Sequence, residues 1–163
     1  MRKELAQLLL RELLKNSKRS DRDLAEVLGV SQPTITRTRH KLEREGVIQE
    51  YTITPDFRKM GFEILALTFV KMHADILVGE TKERTKKFAA EFPNVIFAYS
   101  GKGLGMTGVI ISLHKNYTEY QKQVNMLRIQ LKDVTEQMQT FIVAIGEGEY
   151  KRYSLSYLKD LPL

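Results

Sequence analysis

Leu5, Leu8, Leu9 and Leu13 recur at the three- and four-residue spacing of a helix, and after a polar turn at residues 16–20 the run from Asp21 to Leu28 predicts a second one. Val30, Ile35 and Leu42 then mark the buried side of a third helix that ends at Gly46. Residues 47–54 are rich in β-branched and aromatic side chains, so a β-rich segment is expected to follow directly, as a wing would. The turn signals at Pro55, Asp56 and Gly61 suggest a short link, with a domain boundary near Met60. Beyond it the period changes. Residues 62–72 are a near-continuous apolar run, expected as a strand, and residues 81–92 read as a helix. Residues 95–99 and 106–113 read as strands joined by a glycine-rich loop. Tyr117, Tyr120, Val124, Leu127 and Leu131 form the clearest amphipathic helix of the chain; residues 141–145 are a fourth strand, and residues 150–158 a candidate fifth. The order β-α-β-β-α-β is that of a ferredoxin-like sandwich, with helices on one face of an antiparallel sheet. The expected class is therefore α+β, with residues 1–60 a winged helix-turn-helix and residues 61–163 a ferredoxin-like domain. Its second sheet face needs a cover, and another copy of the chain is the simplest one.

Residues 23–42 carry the most specific pattern. Ala25 is small enough for two helices to approach, and Gly29 suits the positive-φ position of a tight turn. Ser31 is placed to cap the next helix through its hydroxyl, and Pro33 lies in the first turn, where its missing donor costs little. The exposed residues that follow are hydroxyls and cations suited to phosphates and base edges. The expected contacts to double-stranded DNA are Ser31, Gln32, Pro33, Thr34, Thr36, Arg37, Arg39, His40, Lys41 and Arg44. Of these, the N-terminal Gln32, Thr34, Thr36 and Arg37 are expected to read bases.

The formal charge of +6 sharpens this reading only when located. Residues 1–60 hold 13 lysines and arginines against 9 acidic residues, whereas the longer remainder holds 13 against 11. The absence of cysteine excludes disulfides, thiolate metal sites and cysteine nucleophiles, and points to a cytoplasmic location. Acidic and basic residues interrupt the leucines of the first 14 positions, so neither a signal peptide nor a membrane span is expected.

The motifs at residues 24–31, 41–48 and 51–55 resemble those of the Lrp/AsnC, or feast/famine, transcriptional regulators, and the resemblance extends over nearly the whole chain. It implies dimerisation through the C-terminal sheet, association of dimers into tetramers or octamers, and a small-molecule effector, often an amino acid, bound between C-terminal domains. The family commonly carries an aspartate in a Gly-x-x-Asp arrangement before the third strand. Here the corresponding stretch is Ser100, Gly101, Lys102, Gly103, Leu104, Gly105, Met106 and Thr107, with no carboxylate, so an effector held there is expected to be neutral or anionic.

Those glycines do not match a phosphate-binding loop; a hairpin turn and a ligand-contacting turn are the open alternatives. His73 and His114 end antiparallel strands and are expected far apart, so no metal site is anticipated, and neither a cofactor nor catalytic residues are called for. Two alternatives accompany the regulator reading. One is a sirohaem-decarboxylase-like enzyme of related architecture; the other is a low-specificity chromatin-type DNA-binding protein.

Overall fold

The computed structural model describes residues 2–73 and 90–161. The chain divides into two compact units, residues 55–150 forming one and residues 1–54 with 151–163 the other. This differs from a single boundary near Met60, because the end of the chain returns to the first unit.

That unit contains α1 (Arg2–Lys15), α2 (Asp21–Leu28) and α3 (Gln32–Arg44). Leu9, Leu24 and Ile35 are fully buried, with Leu13, Ala25 and Leu42 completing the core. Each of the large aliphatic side chains stabilises the unit by about 1.5–3 kcal/mol. A reciprocal capping box starts α2: Ser20 Oγ accepts from the Asp23 amide at 3.1 Å, and Asp23 Oδ2 accepts from the Ser20 amide at 3.2 Å. Gly29 ends α2 at φ +66°, and its amide donates back to the last turn, so the backbone conformation expected of the turn is present.

Residues 47–54 form no strand. From residue 49 to 54 no backbone–backbone hydrogen bond occurs among the described residues, and β-propensity without a ladder partner yields only extended chain. The candidate fifth strand is likewise absent: residues 150–154 are irregular and Leu155–Asp160 is a 3₁₀ helix. The latter packs on α1, and Arg11 Nη2 donates to the Leu161 carbonyl at 3.2 Å.

The second unit contains β1 (Ile64–Met72), β2 (Val95–Gly103), β3 (Met106–His114), α4 (Tyr117–Gln130) and β4 (Thr135–Ala144). The sheet order is β2-β3-β1-β4, with every neighbouring pair antiparallel, as the ferredoxin-like reading requires. The helix expected at residues 81–92 lies almost wholly outside the described residues. β4 begins six residues before the expected start. Its early part is mostly polar, and pairing with β1 rather than hydrophobicity defines it.

Alternation assigns two faces to this sheet. Ile64, Ala66, Thr68 and Val70 are buried, and Ile64 and Ala66 pack with Tyr120 and Val124 of α4. The opposite face carries Leu65, Leu67 and Phe69 of β1, in register with Leu113, Ile111 and Val109 of β3 and with Val143, Phe141 and Gln139 of β4. Phe97 and Tyr99 of β2 extend it, their rings stacked at 4.7 Å. Tyr99 and Phe141 are 68% and 65% exposed, so this apolar face is open.

Candidate nucleic-acid interface

The ten side chains expected at DNA do not share one environment. Ser31 occupies the N-cap of α3, but its hydroxyl caps no amide; it pairs with Thr34 Oγ1 at 2.8 Å instead. The Ser31 carbonyl serves the first turn by accepting from the Thr34 and Ile35 amides. Thr36 donates to Asp21 Oδ2 at 2.6 Å and also contacts the Gln32 carbonyl. Arg39 is turned inward. Its Nε and Nη2 meet Asp21 Oδ1 at 2.7 and 2.6 Å, and its side chain is 14% exposed. In the expected set Arg39 is a free cation; here it is committed to the start of α2. The reason is angular: position 39 projects on the flank of α3 that faces α2, next to buried Ile35 and Leu42.

Burial draws the Asp21 carboxyl upward, but hydrogen bonds from Thr36 and Arg39 outweigh it and hold the group below the ordinary aspartate range. Burial acts against the charged Arg39, yet Tyr51 and Asp21 more than compensate and raise its pKa. The Tyr51 hydroxyl accepts from Arg39 Nη1 at 3.3 Å and donates to Glu43 Oε1 at 2.8 Å. Glu43 Oε2 lies 3.0 Å from His40 Nδ1, and these contacts, His40 first and Tyr51 second, lower the Glu43 pKa.

What remains accessible is a stripe. Pro33, Arg37, His40 and Arg44 are all exposed, and their spacing of four, three and four residues places them along one side of α3, with exposed Lys41 beside them. Arg37 Nε reaches back to the Pro33 carbonyl at 3.1 Å, which orients its guanidinium along the helix. Lys41 is within 3.7 Å of Glu45. Gln32 is exposed at the first turn, and Thr34 is half-buried. Asp21, Glu43 and Tyr51, the residues that sort this set, carry no signal in sequence spacing; Asp21 and Arg39 are 18 residues apart.

The segment expected to contact an effector is a β-hairpin. Ser100, Gly101, Lys102 and Gly103 end β2, Met106 and Thr107 begin β3, and Leu104 and Gly105 are the two-residue turn, at φ +52° and +71°. Positive φ at both positions matches the twist of a tight hairpin. Met106 is buried, Lys102 is exposed, and Thr107 Oγ1 accepts from the Met72 amide at 2.9 Å. None of these eight residues lines the cavity of about 500 Å³ at the other end of the sheet, which Arg58, Phe62, Glu63, Ile145 and Glu147 help to form.

His73 and His114 do lie at opposite ends of the sheet. His114 pairs with the first residue of β1, whereas His73 follows the last and faces Glu136. Among the described residues no group of three or more metal-ligating side chains occurs, and no helix is long and apolar enough to cross a membrane.

Three helices with a capped tight turn, followed by an antiparallel α+β unit, define a helix-turn-helix architecture with a C-terminal sheet domain. Residues 2–49 match the family model described as winged helix-turn-helix DNA-binding. The chain is 30% identical over 92 residues to the HTH-type transcriptional regulator LrpC of Bacillus subtilis, covering 56% of this chain and 60% of that protein. It thus spans about 60% of the length of this curated relative. The fold matches an AsnC family transcriptional regulator from Agrobacterium tumefaciens, with a TM-score of 0.77 and 19% identity over 92% of each chain. It also matches a Neisseria meningitidis regulator solved with L-Met, with a TM-score of 0.74 and 14% identity over 94% of this chain and 97% of that one. The chain is thus similar to regulators of the Lrp and AsnC type in the matched segments, and it shares their fold.

Proposed function

We propose that this chain regulates transcription as a sequence-specific, cytoplasmic binder of double-stranded DNA, that it acts as a homodimer or larger assembly, and that a small molecule tunes it. The observation that carries the reading is the exposed stripe Pro33, Arg37, His40 and Arg44 with Lys41 on α3. Gln32 and Arg37, near the start of the helix, are the base-reading candidates, while Lys41 and Arg44 suit phosphates. Ser31, Thr34 and Thr36 contribute by shaping the first turns, and Arg39 by holding α3 to α2.

The open sheet face supports pairing with a second copy, since its aromatic and aliphatic residues would otherwise remain in water. A two-fold pair would then favour an operator of two related half-sites. For control, the hairpin at residues 100–107 offers Lys102 and exposed backbone without a carboxylate, which favours a neutral or anionic effector over a free amino acid's ammonium group.

The deciding experiment is salt dependence. The logarithm of the binding constant changes with that of salt by roughly 0.9 per neutralised phosphate, so Arg37→Ala and Arg44→Ala should each flatten the slope by about one. Arg39→Ala should instead lower the melting temperature. Unchanged slopes in both exposed variants would remove α3 from the interface, and equal affinity for operator and random DNA would replace regulation with packaging.

A further inference from the structure

We propose that Tyr51 is a positioning residue for sequence reading: its hydroxyl, held between Arg39 and Glu43, fixes the rotation of α3 about its own axis. The inference deepens the DNA-binding role of α3 proposed above and rests on it. The apolar packing of α3, through Ile35 and Leu42 against the core of Leu9, Leu24 and Ala25, is non-directional and opposes a small rotation weakly. Rotation is the variable that matters for a reading helix. A turn of about 20° carries a side chain at roughly 5 Å from the axis by about 2 Å. A bidentate contact to a base edge does not survive that displacement, whereas attraction between a cation and a phosphate does.

The side-chain contacts that tie α3 to other parts of its unit lie, among the described residues, on one flank. Thr36 and Arg39 are tied to Asp21, Arg39 and Glu43 to Tyr51, and Glu43 to His40. Asp21 fixes the flank from α2, and Tyr51 fixes it from the segment that leaves the helix. Among the described residues, 49–54 have no backbone–backbone hydrogen bond, so the Tyr51 hydroxyl is their polar anchor on α3. The ring also lies against the Arg39 guanidinium, 5.8 Å from ring centre to Cζ, and a phenylalanine would retain that contact.

The test uses the full chain, the genomic fragment that wild type retains most tightly, and a random duplex of equal length. Tyr51→Phe removes hydrogen bonds to two charged groups, so the ratio of specific to random affinity should fall about tenfold. Random-duplex affinity should stay at the wild-type value, and the melting temperature should fall by only a few degrees, because Tyr51 is 47% exposed and water replaces part of what is lost. Glu43→Gln keeps an acceptor for the phenol and should retain the ratio. An unchanged ratio in Tyr51→Phe overturns the proposal. So does an equal loss on both duplexes accompanied by a larger fall in melting temperature, which would make Tyr51 only a structural support. A ratio lost in Glu43→Gln but kept in Tyr51→Phe would also overturn it, by placing the constraint in the His40–Glu43 pair. Arg44→Ala separates the two levels: if it weakens neither duplex, the interface itself is misplaced, whereas a normal Arg44 effect beside an unchanged Tyr51→Phe ratio defeats this inference alone.

Discussion

Asp21 holds α3 from the start of α2, because one carboxylate satisfies Thr36 and most of the Arg39 fork. Its folded pKa is depressed, so the folded state favours the charged form. The corresponding stability is fully present above the unfolded value near 3.8 and is lost as pH falls through the lower folded value. Asp21→Asn should therefore destabilise the protein by about 2 kcal/mol at neutral pH, the scale of charged hydrogen bonds, and less at pH 3. Urea titrations at the two pH values check this; an equal loss at both would show that charge is not the cause. The contrast between Arg39 and Arg44 makes the same point. Both are cations on one helix, yet the first is committed to folding and the second is free for a partner.

Within the elements, the β2–β3 hairpin contains a local conflict. Leu104 adopts positive φ, the only non-glycine among the described residues to do so, and is 86% exposed. It thus pays the steric cost of the left-handed region without burying its side chain. Leu104→Asn should stabilise the protein by about 1 kcal/mol, since asparagine tolerates that region and suits this turn. A lower urea midpoint for the variant would mean that the leucine has a packing role. A second conflict is satisfied internally. His114 is buried between β3 and α4, with Nε2 2.8 Å from Ser112 Oγ and its ring edge-on to Tyr120. Asn94 and Gln123 complete the polar cluster. Desolvation depresses the histidine pKa, only partly opposed by Glu119, so the folded state prefers the neutral ring. Stability should be complete above the unfolded value, roughly 6.5, and decline as pH falls below it toward the folded value. Thermal melts from pH 7.5 to 5 should show this decline in wild type and a flatter profile in His114→Gln.

For the whole molecule, the consequential feature is the open sheet face. A charge placed among Leu67, Ile111, Phe97 and Tyr99 would meet a second copy's equivalent surface in any two-fold pairing through this face. Phe141→Lys should therefore shift sedimentation toward the monomer and weaken operator binding more than tenfold, while a side chain already 65% exposed leaves folding nearly unaffected. A variant that sediments like wild type would place the pairing elsewhere. The return of residues 151–163 to the first unit adds a second covalent crossing between the two units, so this segment is part of the helical unit's construction.

Local pattern was enough for much of this protein. Periodicity located α1 to α4, Gly29 and Gly46 marked helix ends through backbone freedom, and the order of apolar runs implied the sheet topology; residues 24–31, 41–48 and 51–55 carried the resemblance to Lrp/AsnC regulators. These signals lie within short windows, where side-chain spacing and φ preference act directly. Tertiary structure decided what depends on partners distant in sequence. Only strand pairing extends β4 back to Thr135 through polar residues, and only the lack of a ladder partner among the described residues leaves 49–54 as extended chain. The site was legible as a cationic helix but not as a sorted one. Whether Arg39 or Arg44 is free depends on where Asp21 and Tyr51 stand in space, and a carboxylate reaching a guanidinium across 18 residues leaves no periodic trace in the chain.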